Sequence, residues 1–208
     1  MQRKLPTEYE FDLSGGNLCL DLANTVSRRD DPERRAEHLA SYADLVAFVR
    51  QAELISARQA DDLNAYAARE SAQARQNFRR AIELREAIFR TFSAIAQGQP
   101  VGRDDLSLIN DFAIEALRHR RLTPAGGGYR WEWGTEGKDP LARVVWPAAH
   151  AAAELLTSKE LRSVRLCEAP DCQWLFLDRS RNRSRRWCDM AACGNRAKAR
   201  RHYQRTRG

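Results

Sequence analysis

The sequence predicts a mainly α chain: an N-terminal helical domain with a small β-hairpin, followed by a compact cysteine-rich C-terminal module. Three observations carry this. Apolar residues recur at three- and four-residue steps over most of the first 157 residues. A glycine run at 126–128 precedes an aromatic–charged alternation. Four of the five cysteines fall between Cys167 and Cys193, where the charge balance also changes.

The 208 residues are 43% hydrophobic and 30% charged, the balance of an ordinary globular protein rather than a disordered one. No apolar run reaches the roughly 18 residues that a membrane span needs. Met1 to Glu10 is polar and charged, without the apolar stretch of a signal peptide. A cytoplasmic protein with no membrane partner is expected. Thiols stay reduced in that compartment, so paired cysteines read as metal ligands rather than disulfides. Cys19, alone in an apolar run, reads as a small buried hydrophobe.

Taken in order, residues 9–13 read as a short extended segment. Leu18 to Val26 is apolar and fits either a buried helix or a strand. Arg28 to Glu33 is a polar break, with Pro32 suited to a first helical turn. Leu39, Tyr42, Leu45, Val46 and Val49 form one amphipathic stripe. A second helix covers 57–69. A longer one covers about 71–97, burying Phe78, Leu84, Ile88 and Phe92 and stopped by Gly98 and Pro100. Asp104 or Asp105 caps the next, which carries Ile109 and Phe112. Pro124 to Gly128 is a turn between a strand at Tyr129–Trp133 and a partner at Leu122–Thr123. Pro140 to Thr157 is Ala-rich and helical. This places one domain over 1–157 and a second over 158–208.

The second region has its own charge. Residues 159–208 hold 14 Lys and Arg against 5 Asp and Glu, whereas the other 158 residues hold 21 against 23. The basic end therefore suits a polyanion and the body does not. Its cysteines read Cys167-x4-Cys172 and Cys188-x4-Cys193, separated by fifteen residues. Two such pairs can supply the four tetrahedral ligands of a structural Zn²⁺. Trp174 to Asp178 reads as a strand, Arg179 to Arg185 as a polar turn, and Arg186 to Cys188 as a return strand. Asp189 caps a helix from Met190 to about Arg205. Residues five apart in an α-helix point about 140° apart. Cys188 must therefore precede the cap, and Cys193 must lie in the first turn. A knuckle, a hairpin and a helix that donates the last ligand make a treble-clef-like zinc finger. A region of about 50 residues has little core of its own, so residues 160–208 should depend on the metal for folding.

These residues resemble a known family. Cys167-x4-Cys172, Trp174-x-Phe176-x-Asp178, the Arg-rich turn, and Arg186-Trp187-Cys188 with Cys193-Gly194-Asn195-Arg196 resemble the CGNR zinc finger. Leu20-Asp21-Leu22-Ala23-Asn24-Thr25 resembles the ABATE domain that precedes that finger in bacterial proteins. The resemblance implies a bacterial transcription regulator.

The candidate metal ligands are thus Cys167, Cys172, Cys188 and Cys193. Candidate DNA contacts are Arg179, Arg181, Arg183, Arg185, Arg186, Arg196, Lys198, Arg201 and Arg205, because Arg forks match phosphate and a helix of this size fits the major groove. Asn195 and Arg196 fit two roles, reading bases or bracing the metal site. Asn24 and Arg85, polar groups among apolar neighbours, are candidate contacts for a small-molecule effector. One finger reads only a few base pairs, which suits a homodimer. No Ser/His/Asp set, phosphate loop or HExxH is present, so the chain reads as a non-enzyme. An RNA- or protein-binding zinc module on a helical scaffold is the alternative; RNA would want more exposed stacking aromatics than this basic end offers.

Overall fold

The computed structural model describes residues 9–134 and 139–207, with side chains at all of these except 201, 202 and 205–207. Helix α1 (Leu18–Ala23) begins where the Asn17 side chain accepts from Cys19 N at 3.1 Å, and it ends at Asn24. Strand β1 (Val26–Ser27) follows and pairs with β2 (Ala36–Glu37). The apolar run at 18–26 is therefore a short helix and then a bridge, buried nearly all round, which is why it carries no amphipathic period. Residues 9–13 form no strand. Gln51 clasps them instead, accepting from Phe11 N at 2.7 Å and donating to Phe11 O at 2.6 Å.

Helix α2 (Tyr42–Gln51) is capped by Ser41 and α3 (Ala57–Arg69) by a Ser56–Gln59 capping box. Helix α4 (Ser71–Ala96) gives way to Gly98 at φ 66°, a left-handed stop that favours glycine. Helix α5 (Arg103–Arg118) leads directly into the hairpin β3 (Arg120–Ala125) and β4 (Gly128–Trp133). Gly126 and Gly127 both take positive φ, as a two-residue hairpin turn requires. A 3-10 turn (Ala142–Val144) then precedes α6 (Trp146–Thr157).

Helix α4 is the axis of the core, packing against α1, α2, α3 and α5. Short α1 lies between α4 and α6. Leu20, Leu22, Leu84, Ile88, Phe92, Ile109 and Ala152 are all buried in one cluster. That cluster also takes Val164, Leu175 and Leu177 from the cysteine-rich region. One core thus runs across the change in composition at 157–159. Among the described residues no helix is long and apolar enough to cross a membrane.

The cysteine-rich region corrects one expectation. Its hairpin is not formed by 174–178 with 186–188. Strand β5 (Val164–Leu166) pairs with β6 (Leu175–Leu177), in the register Val164↔Leu177 and Leu166↔Leu175. The Cys167–Cys172 knuckle is the loop between them. Arg186 to Cys188 stays irregular and gives a single backbone bond to the knuckle, Glu168 N to Arg186 O at 2.9 Å. Arg185 N is turned toward the Asp178 carboxylate, 2.9 Å away, rather than toward a strand. The last helix also begins differently. Met190–Gly194 is a wide π turn, and α7 (Asn195–Arg207) continues it.

Candidate metal centre and nucleic-acid interface

The four cysteines meet because three local devices converge. The β5–β6 hairpin closes the knuckle, with Cys167 N donating to Trp174 O at 2.8 Å and Cys172 N to Ala169 O at 3.0 Å. Asp189 accepts from Ala192 N and caps the π turn, which leaves Cys188 outside it. Gly194 N donates to Asp189 O five residues back, and this wide turn carries Cys193 to the others. Met190 lies over Gly194, whose added Cβ would meet the Met190 sulfur at 2.8 Å. A larger residue there would push that side chain away.

Cys172 Sγ lies 3.5 Å from Cys188 Sγ, which lies 3.7 Å from Cys193 Sγ. All four sulfurs lie within 4.8 Å of one another, and all four residues are buried. Tetrahedral thiolates at about 2.3 Å from a Zn²⁺ stand about 3.8 Å apart, so the donor set fits such an ion. The same crowding splits the ionisation of the thiols. Hydrogen bonds from Cys172 and Cys188 hold Cys167 well below the ordinary thiol value. Those shared bonds push Cys188 up, and burial followed by the charge of Cys167 pushes Cys193 up. A divalent cation at the centre would relieve that conflict by holding all four as thiolates. The cluster is a metal site packed by Phe176, Trp174 and Trp187.

The basic residues divide into three groups. Two brace the centre. Arg185 Nη2 donates to Cys188 O at 2.5 Å, and its guanidinium lies 4.8 Å over the Phe176 ring. Arg196 Nη2 donates to Cys193 Sγ at 3.1 Å, and its Nε lies 3.5 Å from Asp171, which also pairs with Arg200 at 2.8 Å. Of the two roles for Arg196, this geometry is the bracing one. Two more arginines are held by exposed acids: Arg179 by Glu160 and Arg186 by Glu168. Arg181, Arg183, Asn195 and Lys198 are exposed, and among the described residues no side-chain partner meets them. Arg201 and Arg205 lie on α7, but their side chains fall outside the described residues.

Asp178 organises the Arg-rich turn and was assigned no role from sequence. It is fully buried. Its carboxylate accepts from Ser180 N at 3.0 Å, Ser180 Oγ at 2.6 Å and Arg185 N at 2.9 Å. Burial would push this carboxyl up, but those hydrogen bonds outweigh it and hold it below the ordinary range. Its position just ahead of five arginines was the available signal. Asp171, which ties α7 to the knuckle, carried no comparable pattern.

Asn24 and Arg85 are both engaged within the chain. Asn24 Nδ2 donates to Leu175 O at 2.8 Å, and Leu175 N donates to Asn24 Oδ1 at 2.9 Å. Beside it, Leu177 N donates to Gly15 O at 2.9 Å. One side-chain amide and one carbonyl thus complete the outer edge of β6. Trp174 Nε1 adds a bond to Val26 O at 3.0 Å. Arg85 is 1% exposed. It forks onto Glu37 at 2.5 and 2.8 Å and reaches Glu86 at 2.9 Å, so its charge is neutralised inside the core. A cleft of about 330 Å³ does lie at the join, between Ser27, Arg28 and Arg34 on one side and Trp174, Cys188 and Arg196 on the other.

A helical body that clasps a four-thiol, zinc-finger-like module defines the class. The chain belongs to the ABATE family, whose model, described as "Putative stress-induced transcription regulator", matches residues 16–159. The CGNR zinc finger matches residues 163–206. No curated protein matches the chain.

Proposed function

We propose that this chain is a cytoplasmic transcription regulator that binds DNA through a zinc-loaded finger. Cys167, Cys172, Cys188 and Cys193 would hold Zn²⁺. With four protein ligands the ion would have no open position, so its part is structural. The observation that carries the reading is the division among the basic side chains. Arg185 and Arg196 are spent on the metal centre, while Arg181, Arg183 and Lys198 stand exposed with no acid against them among the described residues. Bare cations held by a rigid centre suit phosphate. Asn195, also exposed beside them at the start of α7, suits adenine in the major groove. Arg201 and Arg205, further along α7, extend the same basic helix.

A small-molecule effector would not use Asn24 and Arg85, which are already paired. It would enter the cleft at the join, where Arg28 and Arg34 face the metal centre. A ligand there touches both the body and the finger and could alter how α7 is presented.

The test is duplex-DNA binding as a function of salt, with matched RNA alongside. If about six phosphates are contacted, the log–log slope should be near −5. Replacing Arg181, Arg183 and Lys198 with Ala should make it shallower by roughly 2 to 3. A slope near zero, or tighter binding to the RNA, would overturn the proposal.

A further inference from the structure

The outer edge of β4 has an unusual property: its sequence is its own complement. The backbone pattern shows which groups face outward. Gly134 N donates to His119 O at 2.7 Å, and the turn closes Ala125 on Gly128. Bonded positions alternate in an antiparallel pair, so Arg130 and Glu132 direct their backbone groups to β3. Tyr129, Trp131 and Trp133 direct theirs to the outer edge. Among the described residues no strand meets that edge, because β3 and β4 form a two-stranded sheet.

We propose that this edge is the seam of a homodimer, in which two copies of β4 pair antiparallel about a two-fold axis at Trp131. In that register Trp131 faces the partner's Trp131 as a bonded pair. Tyr129 faces the partner's Trp133, and Arg130 faces the partner's Glu132. The charged pair occurs twice by symmetry. It falls at the non-bonded positions, where opposing Cα atoms come to about 4.5 Å and side chains interact most closely. Within one chain Arg130 and Glu132 already pair with each other, so the dimer forms a square of alternating charge.

The neighbouring registers are disfavoured. Sliding the partner two residues one way sets Arg130 against the partner's Arg130. Sliding it two residues the other way sets Glu132 against the partner's Glu132. Both bring like charges together. The ring face has apolar surface to bury: Tyr129 is 77% exposed, Trp131 56%, and Leu122, opposite Trp131 on β3, 58%. The edge also borders a groove of about 400 Å³ with Leu54, Ile55 and Pro147 among its lining residues, which gives a second strand room. A bare strand edge of this kind is a template for pairing, and a two-fold interface must be self-complementary.

The experiment is sedimentation of the full-length, metal-loaded protein over a wide concentration range without DNA, so it does not depend on the nucleic-acid reading. Wild type should show a monomer–dimer equilibrium. Glu132→Arg and Arg130→Glu should each weaken dimerisation by about tenfold or more. The double swap Arg130→Glu with Glu132→Arg should restore it, because opposite charges again face each other. Circular dichroism checks that each variant keeps its helix content. A wild type that stays monomeric into the millimolar range would overturn the proposal. So would a dimer indifferent to the single swaps, or a double swap that fails to rescue, which would leave the groove to another extended segment.

Discussion

This chain contains two antiparallel hairpins with opposite fates. In β5–β6 each strand has three residues, and all of β6 is buried. In β3–β4 each strand has six residues, and most of β4 is exposed. Length would favour the second. The difference lies in the edges. The outer edge of β6 is completed by the Asn24 amide and the Gly15 carbonyl, so its backbone groups can be buried without loss. The outer edge of β4 has no such partner among the described residues and stays at the surface. A short hairpin becomes core when another part of the chain satisfies its edge; a longer one remains surface when nothing does.

Metal removal is the strongest way to break this comparison. If the body holds β5–β6, chelation should strip hydrogen-exchange protection from residues 186–207, which have little else to fold against. The amides of Leu175 and Leu177, packed in the main core, should stay protected, so the metal-dependent part is smaller than the 160–208 expected from sequence. Structural zinc in small modules contributes on the order of 10–16 kcal/mol of apparent binding energy, so the loss at α7 should be complete. If Leu175 and Leu177 exchange as fast as α7, the hairpin is held by the metal and the edge argument fails.

Asn24→Ala attacks the edge itself. It leaves Leu175 N and O buried without partners, a cost of about 2–4 kcal/mol in urea unfolding. A change below about 1 kcal/mol would mean that water replaces the amide.

Asp21 sharpens the picture from behind. It accepts from Gly15 N at 2.8 Å, and a Cβ on Gly15 would stand 2.7 Å from the same oxygen. Burial pushes the Asp21 carboxyl up to about 7, partly offset by that bond and reinforced by Asp12. The folded state therefore binds a proton that the unfolded chain, near 3.9, has released. Stability should fall as pH rises from about 4 to 7 and level off above. Asp21→Asn keeps an acceptor for Gly15 N and should remove this dependence, gaining about 1–3 kcal/mol at pH 8. Thermal melts of both proteins across that pH range check it; parallel curves would show that Asp21 is ionised throughout.

Much of this molecule was legible in one dimension. The long helices announce themselves by period and by stops such as Gly98. The cysteine spacing and the Asp189 cap located the metal centre and placed Cys188 before the turn. Charge asymmetry marked the basic end. What failed was local reading of a nonlocal choice. The segment at 186–188 looked like a return strand, yet β6 pairs backward with β5 because Val164 completes the main core. The same limit applied to Arg196, which could not be assigned until Cys193 and Asp171 were seen beside it.

Composition, periodicity and cysteine spacing by themselves determined which of the longer stretches are helical, where the thiols gather and which end is basic. Those properties depend on neighbours a few residues apart. Only the tertiary structure decided that Asn24 completes a strand 151 residues away, that Arg85 is neutralised inside the core, and that Arg181 and Arg183 have no side-chain partner among the described residues. Each of these is a matter of which polar group finds a partner once water is excluded, and that depends on packing between distant parts of the chain.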